Sequence, residues 1–231
     1  MVLTGAIVNG IAVVGGGLLG RLLHRIPERI KDSVMKVMGL AVSVLGIQMG
    51  LKSASFLIVI ISLVLGAVLG ELLALDDQLN RLGGWLERRM GGAEEGSISL
   101  GFVTATLIFV VGAIGILGAL DSGIRGNHDV LFTKAIMDGV MACILTTTLG
   151  IGVLFSALPI LLYEGLIALG ATQIHRFVSD ELMNRLIAEL TSTGGIMILA
   201  IGMNLLGLAK IKVANLLPAI VVVAVLVTIF E

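Results

Sequence analysis

The chain reads as an all-α polytopic membrane protein with seven or eight spans, on three observations. Of its 231 residues 57% are hydrophobic and only 13% charged, against roughly 25% charged in soluble domains, so charges are too few to cover a globule of this size. Apolar runs long enough to cross a bilayer, ~20 residues each, recur from one end to the other. Glycine supplies 31 residues, about twice its usual share of roughly 7%, and small residues let membrane helices approach closely.

The first run, 2–20, lacks a basic flank and a small-residue cleavage site and reads as a retained span. The second, 34–51, is entered through "RIPERIKDSVMKVMG", where Pro27 suits a first helical position and Glu28 the positive end of the helix dipole. That helix starts in water and runs into the bilayer. Further spans are expected at 54–75, 99–120, 136–157, 194–209 and 212–230. An eighth apolar segment, 159–171, is short and holds Glu164; it is either a tilted crossing or a re-entrant piece. Two stretches are amphipathic. In 75–90, Leu75, Leu79, Leu82, Leu86 and Met90 fall at helical spacing beside Trp85. In 179–190, Ser179 is a good N-cap and Leu182, Leu186 and Leu190 form a stripe. Both read as helices lying on the membrane surface. The charges Arg176, Asp180, Glu181, Arg185 and Glu189 argue against a crossing by 174–190.

The whole chain, 1–231, is a single transmembrane domain, with 91–98 available as a linker between halves 1–90 and 99–231. "GLKSASFLIVII" (50–61) echoes "LAKIKVANLLPAIVV" (208–222), as an inverted repeat would. Five Lys/Arg in loop 21–36 and three in 76–98, against one at Lys52 and two in 121–134, place the N-terminus outside.

Three blocks carry a family resemblance. "GAIVNGIAVVGGGLLG" followed by "IPERIKDSVMKVMGLAVSVLGIQMGL" opens the chain, "FVVGAIGILGALDSGIRGNHDVLFTKAIMDGVMACILTTTLGIGVLFSALPILLYEG" fills the middle, and "TGGIMILAIGMNLLGLAKIKVANLLPAI" closes it. Together they resemble the bacterial inner-membrane family catalogued as domain of unknown function 554. The resemblance implies a multi-pass protein of the bacterial plasma membrane, of a kind often labelled a transport protein.

The middle block concentrates polar groups at membrane depth. Lys134 and Asp138 are four apart and share a helix face. Asp121 ends the preceding span, Thr147 is the central one of three consecutive threonines, and Glu164 follows. Ionisable residues inside spans usually face an interior, so Asp138, with Asp121 or Glu164, is expected to line a cation or solute path. A Lys134–Asp138 pair at the membrane rim is the simpler structural account. Asn9 and Asn204 are lone amides in apolar runs; each serves either as glue between helices or as part of the path. The pairs Gly16/Gly20, Gly46/Gly50 and Gly66/Gly70 suit close helix packing.

Enzyme chemistry is not expected. No G-x-S-x-G, H-E-x-x-H or phosphate loop occurs. Asp121 and His128 have no evident nucleophile beside them. The single Cys143 excludes a CxxC site, and His24, His128 and His175 lack metal-ligand spacing. No cofactor or metal is expected, and with no basic tract, no nucleic acid. The expected function is that of a channel or secondary transporter for a small cation or small solute, in the lipid bilayer and as a homo-oligomer. The alternative is a non-transporting membrane interaction or regulatory protein.

Overall fold

The computed structural model of the chain describes residues 1–22, 28–90, 97–110 and 113–230. The helix start expected at Pro27, most of the linker 91–98, His24, and the side chains of Leu82, Leu86, Met90 and His175 lie outside what is described. Among the described residues there are ten α-helices and no strand: α1 Thr4–Leu22, α2 Glu28–Gly50, α3 Phe56–Leu72, α4 Leu75–Met90, α5 Ser97–Val110, α6 Ala113–Ile124, α7 Asp129–Leu149, α8 Ala157–Phe177, α9 Asp180–Leu205 and α10 Pro218–Ile229. Two 3-10 turns, Ile151–Ser156 and Val213–Leu216, precede α8 and α10. Four helical stretches are long and apolar enough to cross a membrane, six if each of two bent pairs is one span; Lys36–Gly50 and Val213–Ile229 are shorter apolar helices. The seven or eight expected spans included those shorter ones.

Five expected segments are corrected. The span set at 136–157 is α7, which stops at Leu149 because Gly150 takes a positive φ of 77° that few other residues adopt. The "short" segment 159–171 is part of the 21-residue α8; Pro159 falls in its first turn, where a missing N–H costs nothing. The surface helix at 174–190 and the span at 194–209 do not exist as such. The chain breaks at Val178 and Ser179, and α9 then runs unbroken for 26 residues. Gly194 and Gly195 do not end it, because Gly195 is used for packing: a Cβ there would lie 2.4 Å from Gly50 N. The span expected at 99–120 is the pair α5 and α6, bent by 60°.

The chain divides into two compact units, each drawn from two separate segments of the sequence. Unit 1 comprises Met1–Lys31 and Leu82–Val178. In it α1 packs mainly on α7, and α8 on α6 and α1. The α1–α7 contact is backbone to backbone: a Cβ on Gly16 would lie 1.9 Å from Gly139 O, and one on Gly20 2.3 Å from Cys143 O. The two helices run parallel, since the paired positions rise together. On α8, Leu158, Leu162, Leu166 and Leu169 are exposed while Ile160, Glu164, Ala168 and Ala171 are buried. An exposed apolar stripe of this length suits a span facing lipid.

Unit 2 comprises Asp32–Arg81 and Ser179–Glu231. It contains both segments of the sequence echo. Here α2 lies antiparallel to α9 through Gly39, Gly46 and Gly50, and α3 antiparallel to α10 through Gly66 and Gly70. All three expected glycine pairs therefore sit in close helix contacts. Helix α9 starts on Ser179, whose hydroxyl accepts from Leu182 N as expected of an N-cap.

Candidate functional site

Four of the residues singled out from the sequence meet inside unit 1. Asn9 from α1, Lys134 and Asp138 from α7 and Glu164 from α8 are 0%, 7%, 8% and 1% exposed. Each lies on the buried face of its helix for a readable reason. Asn9 shares the small-residue face of α1 with Gly5, Ala6, Val13 and Gly16. Lys134, Asp138 and Ala142 recur every four residues on α7. Glu164 takes the slot between Ile160 and Ala168 on α8. Asp138 lies nine residues into the 21-residue α7, about 14 Å from its start at 1.5 Å per residue. That is near the middle of the helix.

The contacts form one network. Lys134 Nζ donates to Asp138 Oδ2, to Phe109 O at 2.9 Å, and lies 3.4 Å from Glu164 Oε1. Asn9 Nδ2 donates to Asp138 Oδ2 at 3.0 Å and to Glu164 Oε1 at 2.8 Å. Glu164 Oε2 and Asn9 Oδ1 are buried without a hydrogen-bond partner.

The bent pair α5–α6 meets this cluster at its break. Phe109 is in the last turn of α5, where a helix has carbonyls with no partner of its own; Lys134 takes one of them. Gly115 is in the first turn of α6, and a Cβ there would be 3.4 Å from Lys134 Cε and 3.7 Å from both Glu164 Oε1 and Tyr163 Cε1. So an ammonium sits at the negative end of one helix and a carboxylate faces the positive end of the next, as the dipoles favour. Phe109 and Gly115 were not found from the sequence. A backbone carbonyl leaves no residue-type signal, and the helix break that frees it was read as continuous span.

The other expected site residues go elsewhere. Asp121 pairs with Arg125 one turn on, at 3.4 Å, outside the network of contacts around Lys134. Thr147 gives its hydroxyl to Ile144 O at 2.7 Å. At 100° per residue, nine residues place it half a turn away from Asp138. Thr146 and Thr148 lie nearer, about 80° to either side of Asp138; Thr148 donates to Leu145 O at 3.0 Å, while the Thr146 hydroxyl is buried without a partner. Asn204, in unit 2, closes the end of α9. Its Nδ2 donates to Ile211 O at 2.7 Å and its Oδ1 accepts from Ile211 N at 2.9 Å. Leu208 N and Gly207 N complete a Schellman turn there on Met203 O and Asn204 O.

A Ser–His contact missed in the sequence also lies in unit 1. Ser122 Oγ is 2.7 Å from His128 Nδ1, but it donates to Val2 O at 2.8 Å and is fully buried. With its proton committed to a carbonyl, the hydroxyl accepts from the imidazole. The contact ties the N-terminus to the α6–α7 loop.

Comparison with known proteins agrees with the architecture. The chain is 30% identical over 223 residues to "Uncharacterized membrane protein YdfK" of Bacillus subtilis (strain 168), covering 94% of this chain and 93% of the relative. It is 31% identical over 222 residues to "Uncharacterized protein YqgA" of Escherichia coli (strain K12), covering 94% and 92%. No solved structure matches it. The model of one family covers residues 4–228, and this chain is a member of that family, described as "Protein of unknown function (DUF554)".

Proposed function

We propose that the protein passes a small cation or small solute across the membrane, as a channel or secondary transporter, with Asn9, Lys134, Asp138 and Glu164 on the path. One observation carries this reading: a lysine and two carboxylates meet, buried, at the break of a bent apolar helix pair. Structure alone needs a pair at most, and each further charge inside a span is costly. Broken helices whose ends turn polar backbone towards charged groups are how secondary transporters build sites at the bilayer midplane. Helical spans, as opposed to barrels, fit the bacterial plasma membrane. The Lys/Arg asymmetry puts the N-terminus outside, so a cysteine at Ser97 should be labelled only from the cytoplasmic side. A chain of this size leaves little room for a wide path, which favours a homo-oligomer. Catalysis forms no part of this reading.

The test is flux of a panel of cations and small solutes into liposomes carrying the purified protein. Asp138→Asn should lower flux far more than it lowers the melting temperature, because Lys134 keeps Glu164 as counter-ion. Unchanged flux in a well-folded Asp138→Asn protein removes Asp138 from the mechanism. The second reading, a non-transporting interaction or regulatory protein, is favoured by the three acceptors that already surround the Lys134 ammonium. It requires that no member of the panel moves.

A further inference from the structure

The charges of the cluster do not cancel: one ammonium faces two carboxyl groups. Lys134 has three N–H donors, and Phe109 O, Asp138 Oδ2 and Glu164 Oε1 surround it. Both N–H groups of Asn9 are spent on the same two carboxyl oxygens. What is left over is the Asn9 amide oxygen, which carries no charge, and Glu164 Oε2, both buried and without a partner. An uncompensated charge in so apolar a setting is strongly unfavourable.

We propose that the cluster binds one proton, carried on Glu164 Oε2, and that this proton is the cation the protein moves or couples to. The inference rests on the transport reading and names its ion. Protonation at Oε2 takes H⁺ from water and forms a neutral carboxylic acid. It leaves Oε1 free to accept from Asn9 and Lys134, so every existing bond stays. An alkali ion would need several oxygens arranged around it, whereas here the side chains already touch. The groups facing Glu164 are Lys134 and Asp138 from α7, the amide of Asn9 from α1, the backbone of α6 at Gly115, and the neighbouring Tyr163 phenol on α8. Because burial favours a cluster without net charge, the count of bound protons follows the count of acids minus the lysine.

That arithmetic is the test. Infrared difference spectra of the full-length protein in lipid nanodiscs, recorded across pH in H2O and D2O, read the C=O stretch of a protonated carboxyl. The band should be present in the wild type, lost in Glu164→Gln and also lost in Asp138→Asn, where the remaining acid pairs with Lys134. It should grow in Lys134→Gln. A wild type without the band overturns the proposal, as does a band that survives Glu164→Gln, or one present in choline buffer and abolished by Na⁺. In liposomes under an imposed membrane potential, a trapped pH dye should report proton movement that Glu164→Gln abolishes. Flux of other solutes with neither band nor proton movement overturns the proton site alone. The band with no flux of any kind supports the proton site and overturns its role in transport.

Discussion

Both units bury carboxyl groups, but they treat them differently. In unit 2, Glu189 is 2% exposed, and both its oxygens are occupied: one accepts from Ala54 N and Ser55 N, each at 2.8 Å, the other from the Ser53 hydroxyl. It caps the start of α3. Glu71 accepts from Asn215 Nδ2 and pairs with Lys212 at 3.2 Å; by hydrogen bond and then by charge it raises the ammonium above its ordinary value. Asn215 in turn caps α4 through Asp76 N at 2.8 Å. These acids serve backbone and loop ends. The unpartnered buried atoms of unit 2 include the hydroxyls of Thr191 and Thr193, which carry no charge. In unit 1 the carboxyls meet a lysine, an amide and each other's partners, and a carboxyl oxygen is left over. Burial alone therefore does not mark a functional acid. On the proposed reading, a surplus of charge and of unused oxygen does.

The comparison can be broken first at Lys134. Lys134→Gln strands two buried acids and should cost about 3–5 kcal/mol, read as melting temperature in nanodiscs. Adding Asp138→Asn to it should restore most of the loss without restoring flux. In unit 2, Glu189→Ala leaves two N–H groups and a hydroxyl unpaired and should cost about 3 kcal/mol, while flux per folded molecule stays as in the wild type. A glycine control should show no difference between the units: Gly16→Ala on α1 and Gly66→Ala on α3 each press on a neighbouring backbone and should cost about 1–3 kcal/mol. Gly15→Ala, with open space around it, should stay within about 0.5 kcal/mol. Among the charged residues the smallest effect on stability is expected at the most buried acid: Glu164→Gln keeps its accepting oxygen and should change stability by less than about 1 kcal/mol, yet abolish flux. A large loss of stability there would make Glu164 a structural acid like Glu189.

Much of this was legible. Composition gave the class, the glycine pairs marked real contacts, and Ser179 marked a real helix start. Lys134, Asp138, Glu164 and Asn9 stood out because each is costly where it lies. Their meeting was not legible, since it joins positions up to 155 apart in sequence, and spacing reports only neighbours on one helix. Thr147 lies on the opposite face of α7 from Asp138, as 100° per residue predicts; Thr146 and Thr148 lie nearer. The merging of 179–190 with the next span failed for a different reason. Glu189 looked like a surface charge because its partners, the turn at 53–55, are supplied by another hairpin.

The glycine contact between α1 and α7 has a mechanical consequence. With main chain laid on main chain at Gly16 and Gly20, no rotamer change at those two points can let the helices slide. They form a stiff strut, and Asn9 and Asp138 ride on it at fixed spacing. Amide exchange along the two facing helix edges should be among the slowest in unit 1. On the proton reading, a path to Glu164 then calls for a displacement of α8 or of the bent pair α5–α6 against that strut.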